Sequence, residues 1–367
     1  MLTDVERHRY QRQLSLAGFG PAAQERLKAG RVLVIGAGGL GCPALLYLAA
    51  AGVGRITIVD ADRVDVSNLH RQVLYGDGDI GEPKAEIAAR RLRAHNPLIS
   101  VVALCQRFRR DNALELVRDC NVVIDGSDNF ATRYLVNDAC VMADRPFVYG
   151  AIQGFEGQLG VFNWRGGPTY RCLFPTAPPP ELAPNCAEAG VLGVLPGIIG
   201  TWQAGEAIKL LTGVGEPLSG RILLWNALTM TFATVALAPD PASRPIRELP
   251  ADVEAAVCAA AEWEIDAASL RSLMDAGPLQ LVDVREDWER AEDAIQPSLH
   301  VPLAALVAAT ADGPVAGLRP DLPTVIYCAV GVRSLRAVAV LRGRHGFADV
   351  RSLRGGMRAW RGQAGDR

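Results

Sequence analysis

Short apolar runs recur along the first two thirds of the chain, at RVLVIG, RITIVD, ISVVAL, NVVIDGSD, PFVYGA, QLGVFNW and RILLWNA, with helical patterns between them. Strands of this length alternating with helices predict an α/β fold with a mostly parallel sheet, Rossmann-like in its first turn, over residues 1–237. From APDPASRPIRELP to about Glu262 the chain is rich first in proline and then in alanine, without a sustained strand pattern. That stretch, 238–262, reads as a linker. A second, smaller α/β alternation fills 263–367, with a helix at AASLRSLMDAG, strands at LQLVDVR and TVIYCA, a glycine-containing loop, a helix at SLRAVAVLRGRHG and then GGMRAW.

Composition narrows the function classes. At 367 residues the chain exceeds what one core usually fills, which agrees with two domains. A formal net charge of -2 with both signs mixed gives neither a long nucleic-acid groove nor a face for anionic membranes. The charged start MLTDVERHRY lacks the apolar core of a signal peptide, so a cytoplasmic location is expected. AGVLGVLPGIIGTW is too short for a membrane span and is broken by glycine and proline. The eight cysteines are scattered singly, as free thiols of a reducing compartment are.

The stretch VLVIGAGGLGCPALLYLAAAGVGRITIVD places Gly36, Gly38 and Gly41 between a strand and a helix, and Asp60 at the end of the next strand. This fits a dinucleotide fingerprint with an acid for ribose hydroxyls, but a helix N-terminus receives the phosphate of any nucleotide. Arg71 and Lys84 follow the acid, and Arg12 precedes the loop. Several fixed cations suit a triphosphate that loses pyrophosphate. Asp125 and Asp128 end the strand NVVIDGSDN at the carboxyl edge, where paired acids suit Mg²⁺ held with phosphate oxygens, or else cap the helix that follows.

GAGGLG, the Asp60 strand, SNLHRQ, Lys84, DGSDN, RYLVND and NCAEAGVLG, in this order, resemble the MoeB/ThiF family of adenylating enzymes, relatives of ubiquitin-activating enzymes. The resemblance implies ATP rather than NAD. It also implies a ubiquitin-like sulfur carrier of MoaD or ThiS type, ending in Gly-Gly, whose C-terminal carboxylate becomes an acyl-adenylate. By position, Gly39, Asp60, Ser67, Asn68, Leu69, His70, Arg71, Lys84, Asp128 and Asn129 carry over as ATP contacts. Arg12 carries over as a phosphate contact from the neighbouring subunit of a homodimer, and Cys186 as a cysteine that links covalently to the carrier. The family's structural zinc uses two Cys-x-x-Cys pairs. Here Thr169 stands before Cys172, and the region of the second pair has no cysteine, so no structural zinc is expected.

IYCAVGVRS places Cys328 between a strand and a helix, facing backbone N–H groups that favour a thiolate. With Gly331, Arg333 and Ser334, and with LVDVRE upstream and GGMRAW downstream, it resembles the rhodanese domain, whose loop carries sulfur as a persulfide. The usual Gly-His-Ile-Pro-Gly-Ala stretch is replaced by DAIQPSLHVPL. The expected sulfur donor is a cysteine desulfurase or thiosulfate. The expected product, a carrier thiocarboxylate, would feed molybdopterin, thiamine, cysteine or tRNA-thiolation chemistry. An NAD-dependent oxidoreductase would leave Arg71, Lys84 and the second domain unused. A non-catalytic scaffold for a ubiquitin-like partner would not need Cys328, Asp128 and Lys84.

Overall fold

In β1 (Arg31–Ile35), Val32 and Val34 enter one hydrophobic cluster while Leu33 and Ile35 enter another. Both faces of the strand are therefore buried, as in a parallel sheet covered by helices on each side. Ile56 and Ile58 of β2 (Arg55–Val59), and Val122 and Ile124 of β4 (Val122–Asp125), repeat the pattern on the first face. The computed structural model describes residues 1–176, 190–250, 263–309, 315 and 317–362, which form two compact units.

The first unit carries an eight-stranded sheet in the order β3-β2-β1-β4-β5-β6-β7-β8, with β3 Ser100–Leu104, β5 Phe147–Gln153, β6 Glu156–Phe162, β7 Arg221–Asn226 and β8 Thr231–Ala236. Strands β1 to β5 pair in parallel and β5 to β8 antiparallel. The order reverses direction between β1 and β4. Ile35 stands in register with both Val59 and Asp125, so three strands end level and their loops open onto one crevice. That crevice is where open α/β sheets bind ligands.

The stretch read as the start of a linker is attached to this unit as far as Leu249. Arg244 donates to Asn163 Oδ1 and to the Gly167 carbonyl, Ser243 meets Cys172, and Leu249 is buried in the second cluster. Prolines set the composition of this segment, while its hold comes from partners some seventy to eighty positions away in sequence.

The second unit carries a parallel five-stranded sheet in the order β11-β10-β12-β13-β9, with β9 Glu264–Ile265, β10 Gln280–Asp283, β11 Leu299–His300, β12 Thr324–Tyr327 and β13 Val350–Leu353. Val282, Ile326 and Cys328 share one core, and Leu281, Val325 and Tyr327 the other. No helix among the described residues is long and apolar enough to cross a membrane.

Candidate functional site

Space dictates Gly36 and Gly41 in the first loop and leaves little room at Gly39. Gly36 has φ +88°, and a Cβ there would lie 2.8 Å from the Gly126 carbonyl oxygen. A Cβ at Gly41, the first residue of α4 (Gly41–Ala51), would strike the Gly36 carbonyl. A Cβ at Gly39 would meet Pro196 at 3.0 Å and the Arg71 side chain at 3.6 Å, and one at Gly38 would meet Gln72 Nε2 at 3.6 Å. Gly193 in turn sits so close to the His70 carbonyl that a Cβ would clash. The loop, the His70–Gln72 segment and the start of the helix Val194–Thr212 thus converge on one place.

Asp60 fixes that loop. One carboxylate oxygen accepts from the Ala37 N–H at 2.7 Å and the other from the Asp62 N–H at 2.7 Å. Burial pushes the Asp60 carboxyl up, while these two N–H groups oppose the shift. Lys84 opens α5 (Lys84–His95), is itself buried, and holds its Nζ 3.1 Å from the exposed Asp62. Asp62, two residues beyond Asp60, has no counterpart in the sequence reading; the spacing DAD was its only signal. Arg71 Nη1 donates to the Ser67 carbonyl at 3.0 Å and lies 2.7 Å from His70 Nε2, which burial and the Arg71 charge hold below its ordinary range. Asp65 caps the turn Val66–Asn68, placing Ser67, Asn68 and Leu69 on a single bend.

The two acids at the end of β4 separate. Asp125 is wholly buried and accepts from Ser127 N–H at 3.0 Å and Ser127 Oγ at 2.6 Å. Burial pushes its carboxyl up against the pull of Arg133. Asp128 is exposed at the crevice edge. Asn129, not either acid, caps α7 (Phe130–Met142) by accepting from Thr132 N–H. A hard cation prefers carboxylate oxygen with room for water and phosphate, and of the two acids Asp128 offers that.

Arg12 lies exposed on the short helix Gln11–Leu14. Its neighbour Gln13 donates to the Ala51 carbonyl, the far end of α4 from the glycine loop. An eleven-residue helix puts those ends roughly 15 Å apart, so the structure does not bring Arg12 to the loop of its own chain. Cys186 lies outside the described residues.

Cys172 Sγ accepts from the N–H groups of Thr169 (3.2 Å) and Asp240 (3.3 Å), and lies 3.4 Å from Thr169 Oγ1 and 3.2 Å from Ser243 Oγ. Burial opposes ionisation of Cys172, but these hydroxyls and N–H groups outweigh it and hold the thiol below its ordinary range. One sulfur ringed by N–H donors does not fit a tetrahedral zinc, which needs four electron-pair donors.

In the second unit, Cys328 follows β12 and is 1 % exposed. Gly331 N–H donates to its sulfur at 3.1 Å from a left-handed residue, φ +97°, that starts the helix Val332–His345. Gly356 permits the next strand–helix corner to lie on this loop: Met357 N–H donates to the Cys328 carbonyl at 2.8 Å and Arg358 N–H to Ala329 at 3.1 Å, where a Cβ on Gly356 would be 2.8 Å from Val330 N. Ser334 Oγ is 3.5 Å from Sγ. Arg333 is engaged by Glu289 through both terminal nitrogens, each at 2.6 Å.

Charges gathered over a glycine loop equip an α/β enzyme that transfers nucleotidyl groups, and a short thiol loop after a strand equips a sulfurtransferase. The chain belongs to the ThiF family, which matches residues 10–245, and a rhodanese-like domain matches residues 266–363. It is an enzyme of the adenylyltransferase and sulfurtransferase kind. A probable adenylyltransferase/sulfurtransferase MoeZ of Mycobacterium tuberculosis is 44% identical over 98% of this chain and 94% of its own. Adenylyltransferase and sulfurtransferase MOCS3 of Mus musculus is 42% identical over 96% and 84%. The SAMP-activating enzyme E1 of Haloferax volcanii is 52% identical over 64% of this chain and 86% of its own. The crystal structure of E. coli MccB aligns with a TM-score of 0.59 at 21% identity, over 68% of this chain and 75% of that one, a likeness of fold alone.

Proposed function

We propose that the first unit adenylates the C-terminal glycine of a ubiquitin-like sulfur carrier and that the second supplies the sulfur for its thiocarboxylate. The observation that carries the reading is the convergence of Gly39, Arg71 and Pro196 at the switch point, beside the Asp60-pinned loop. A carboxylate is a poor electrophile, and transfer to the α-phosphorus of ATP gives it AMP as a leaving group and releases pyrophosphate. In this scheme the loop amides and the start of α4 receive phosphate, Asp60 meets the ribose, and Arg71 and Lys84 balance the charge that develops. Asn129 and the Ser67–Leu69 bend border the nucleotide.

Asp128 would hold Mg²⁺, which supplies charge neutralisation of the phosphates when bound. The distance of Arg12 from its own glycine loop supports a homodimer in which Arg12 serves the partner's site. Cys186 would displace AMP to form a thioester. The terminal sulfur of a Cys328 persulfide would then attack the thioester carbonyl and free the Cys186 thiolate, leaving an acyl disulfide that an external thiol reduces to thiocarboxylate. A cysteine desulfurase or thiosulfate would load Cys328, and molybdopterin, thiamine, cysteine or tRNA-thiolation chemistry would consume the product in the cytoplasm.

Carrier-dependent ATP–pyrophosphate exchange tests the first half. Exchange that needs a protein ending in Gly-Gly supports it, and tight NADH binding without exchange overturns it.

A further inference from the structure

Two serine hydroxyls, both wholly buried, stand in line with the Cys328 sulfur: Ser334 on the helix after the loop and Ser352 on β13. Ser334 Oγ is 3.5 Å from Sγ and 2.9 Å from the Gly331 carbonyl, to which it donates. Ser352 Oγ has two acceptors in reach, Ser334 Oγ at 2.8 Å and the same carbonyl at 3.4 Å, and the much shorter bond goes to Ser334. That carbonyl also accepts the Leu335 N–H at 3.2 Å.

A hydroxyl has one proton to give and lone pairs to receive. With a neutral thiol, the Ser334 proton rests on the Gly331 carbonyl. With a sulfur anion, it can turn to Sγ without stranding that carbonyl, because Leu335 N–H remains on it. The oxygen of Ser334 could instead accept the thiol S–H, which favours the neutral form. Ser352 decides between these two uses: by filling a lone pair of Ser334, it leaves Ser334 the better donor and the poorer acceptor. Donation in a chain also strengthens the next bond in line.

We infer that Ser352 is a positioning residue of the sulfurtransferase loop, acting through Ser334 to favour the anionic state of the Cys328 sulfur. The inference deepens the sulfur-transfer reading of Cys328 and rests on it. The charged groups on the surrounding elements are the buried pair Asp283 and Arg285 at the end of β10, Glu286 and Glu289 beside Arg333, Arg333 and Arg336 on the helix, and Arg354 and Arg358 around the Gly355–Gly356 corner; Arg285 is matched by Asp283, Arg333 by Glu289 and Arg354 by Glu264. None of these changes in a serine variant, so a change in pH response reports the hydroxyl.

The experiment follows alkylation of Cys328 by iodoacetamide in the full-length protein, read on the Cys328 peptide by mass spectrometry from pH 6 to 9.5. Ser352→Ala is expected to slow alkylation about three- to tenfold at pH 7, the scale of one hydrogen bond, and to converge on the parent rate at the alkaline end. Ser352→Thr, which restores the hydroxyl, is expected to recover the parent profile. Ser352→Cys, similar in volume and weaker as a donor, gives the same trend at smaller size and serves if the alanine variant does not fold. A profile unchanged in the folded variants, or a drop uniform across pH, overturns the assignment. Alkylation needs no sulfur donor and no carrier, so its outcome is separate from whether Cys328 delivers sulfur.

Discussion

Arg333 and Glu289 face each other through two parallel bonds of 2.6 Å, with both side chains largely withdrawn from solvent. The cation of the thiol loop is thereby anchored to the helix Asp287–Glu292, and the Cys328 sulfur finds its nearest donor in the Gly331 N–H. Burial works against ionisation of Glu289, yet bonds from Arg333 and from the Glu286 N–H outweigh it and hold the carboxyl below its ordinary range. A depressed carboxyl stabilises the fold fully above its unfolded value and loses that contribution as pH falls through the folded value. Glu289→Gln is expected to cost about 1.5–3 kcal/mol at pH 7, as for a bond between charged groups. In urea titrations the difference from the parent narrows as pH drops below 4.5. Equal stability of the two proteins at pH 7 would remove the pair from the account.

Asp128 and Asp125 make a second contrast. Asp128→Ala is expected to abolish the Mg²⁺ dependence of pyrophosphate exchange along with most of its rate. Arg71→Ala and Lys84→Ala each lose roughly 10²–10³-fold, the scale for one preorganised group. Asp125→Ala acts differently, since it strips Ser127 of its buried acceptor and lowers the thermal midpoint. Unchanged exchange in Asp128→Ala would sink the site assignment.

Zinc gives the third test. The ring of N–H and O–H groups around Cys172 stabilises a sulfur anion rather than a metal, so elemental analysis of the purified protein is expected to find no stoichiometric zinc. Cys172→Ser should fold and keep its exchange activity, at a cost of about 1 kcal/mol for weakened bonds to Ser243 and Asp240. One zinc per chain would mean that ligands beyond this cluster hold it.

What the sequence disclosed depends on how far each cause reaches along the chain. Gly36, Gly41 and Gly331 were legible because a positive φ or a backbone at touching distance admits no side chain, and Asp60 because a strand end fixes its place. The strand Thr231–Ala236 was not: Phe232, Ala233, Val235 and Ala236 are apolar, yet every one of its residues is exposed, and it is placed by pairing with β7 rather than by burial. Asp62 and Ser352 escaped because their meaning lies in contacts 22 and 18 positions away, with Lys84 and Ser334. The spacing presents Asp125 and Asp128 as a pair, of which the family resemblance singles out Asp128, but only the turn of the chain at Gly126 and Ser127 shows that one is buried and the other exposed.

Division of labour between the units is the last test. In the proposed scheme adenylation draws on groups of the first unit, from the Gly36–Gly41 loop and Asp60 to Arg71, Lys84 and Asp128, whereas sulfur transfer needs a nucleophile that first accepts a terminal sulfur. In that scheme the nucleophile is Cys328, whose sulfur accepts the Gly331 N–H at 3.1 Å and lies 3.5 Å from Ser334 Oγ. Cys328→Ala is expected to retain carrier-dependent pyrophosphate exchange within about twofold, because no residue of the nucleotide site changes. The same variant should yield no thiocarboxylate. Cys186→Ala separates two routes: with an obligatory thioester, transfer stops while exchange persists, and with direct attack by the persulfide, transfer merely slows. Intact mass spectrometry of the carrier after a single turnover reads both variants, since replacing one oxygen by sulfur adds about 16 Da. Full thiocarboxylate formation by Cys328→Ala would show that sulfur reaches the carrier without the second unit.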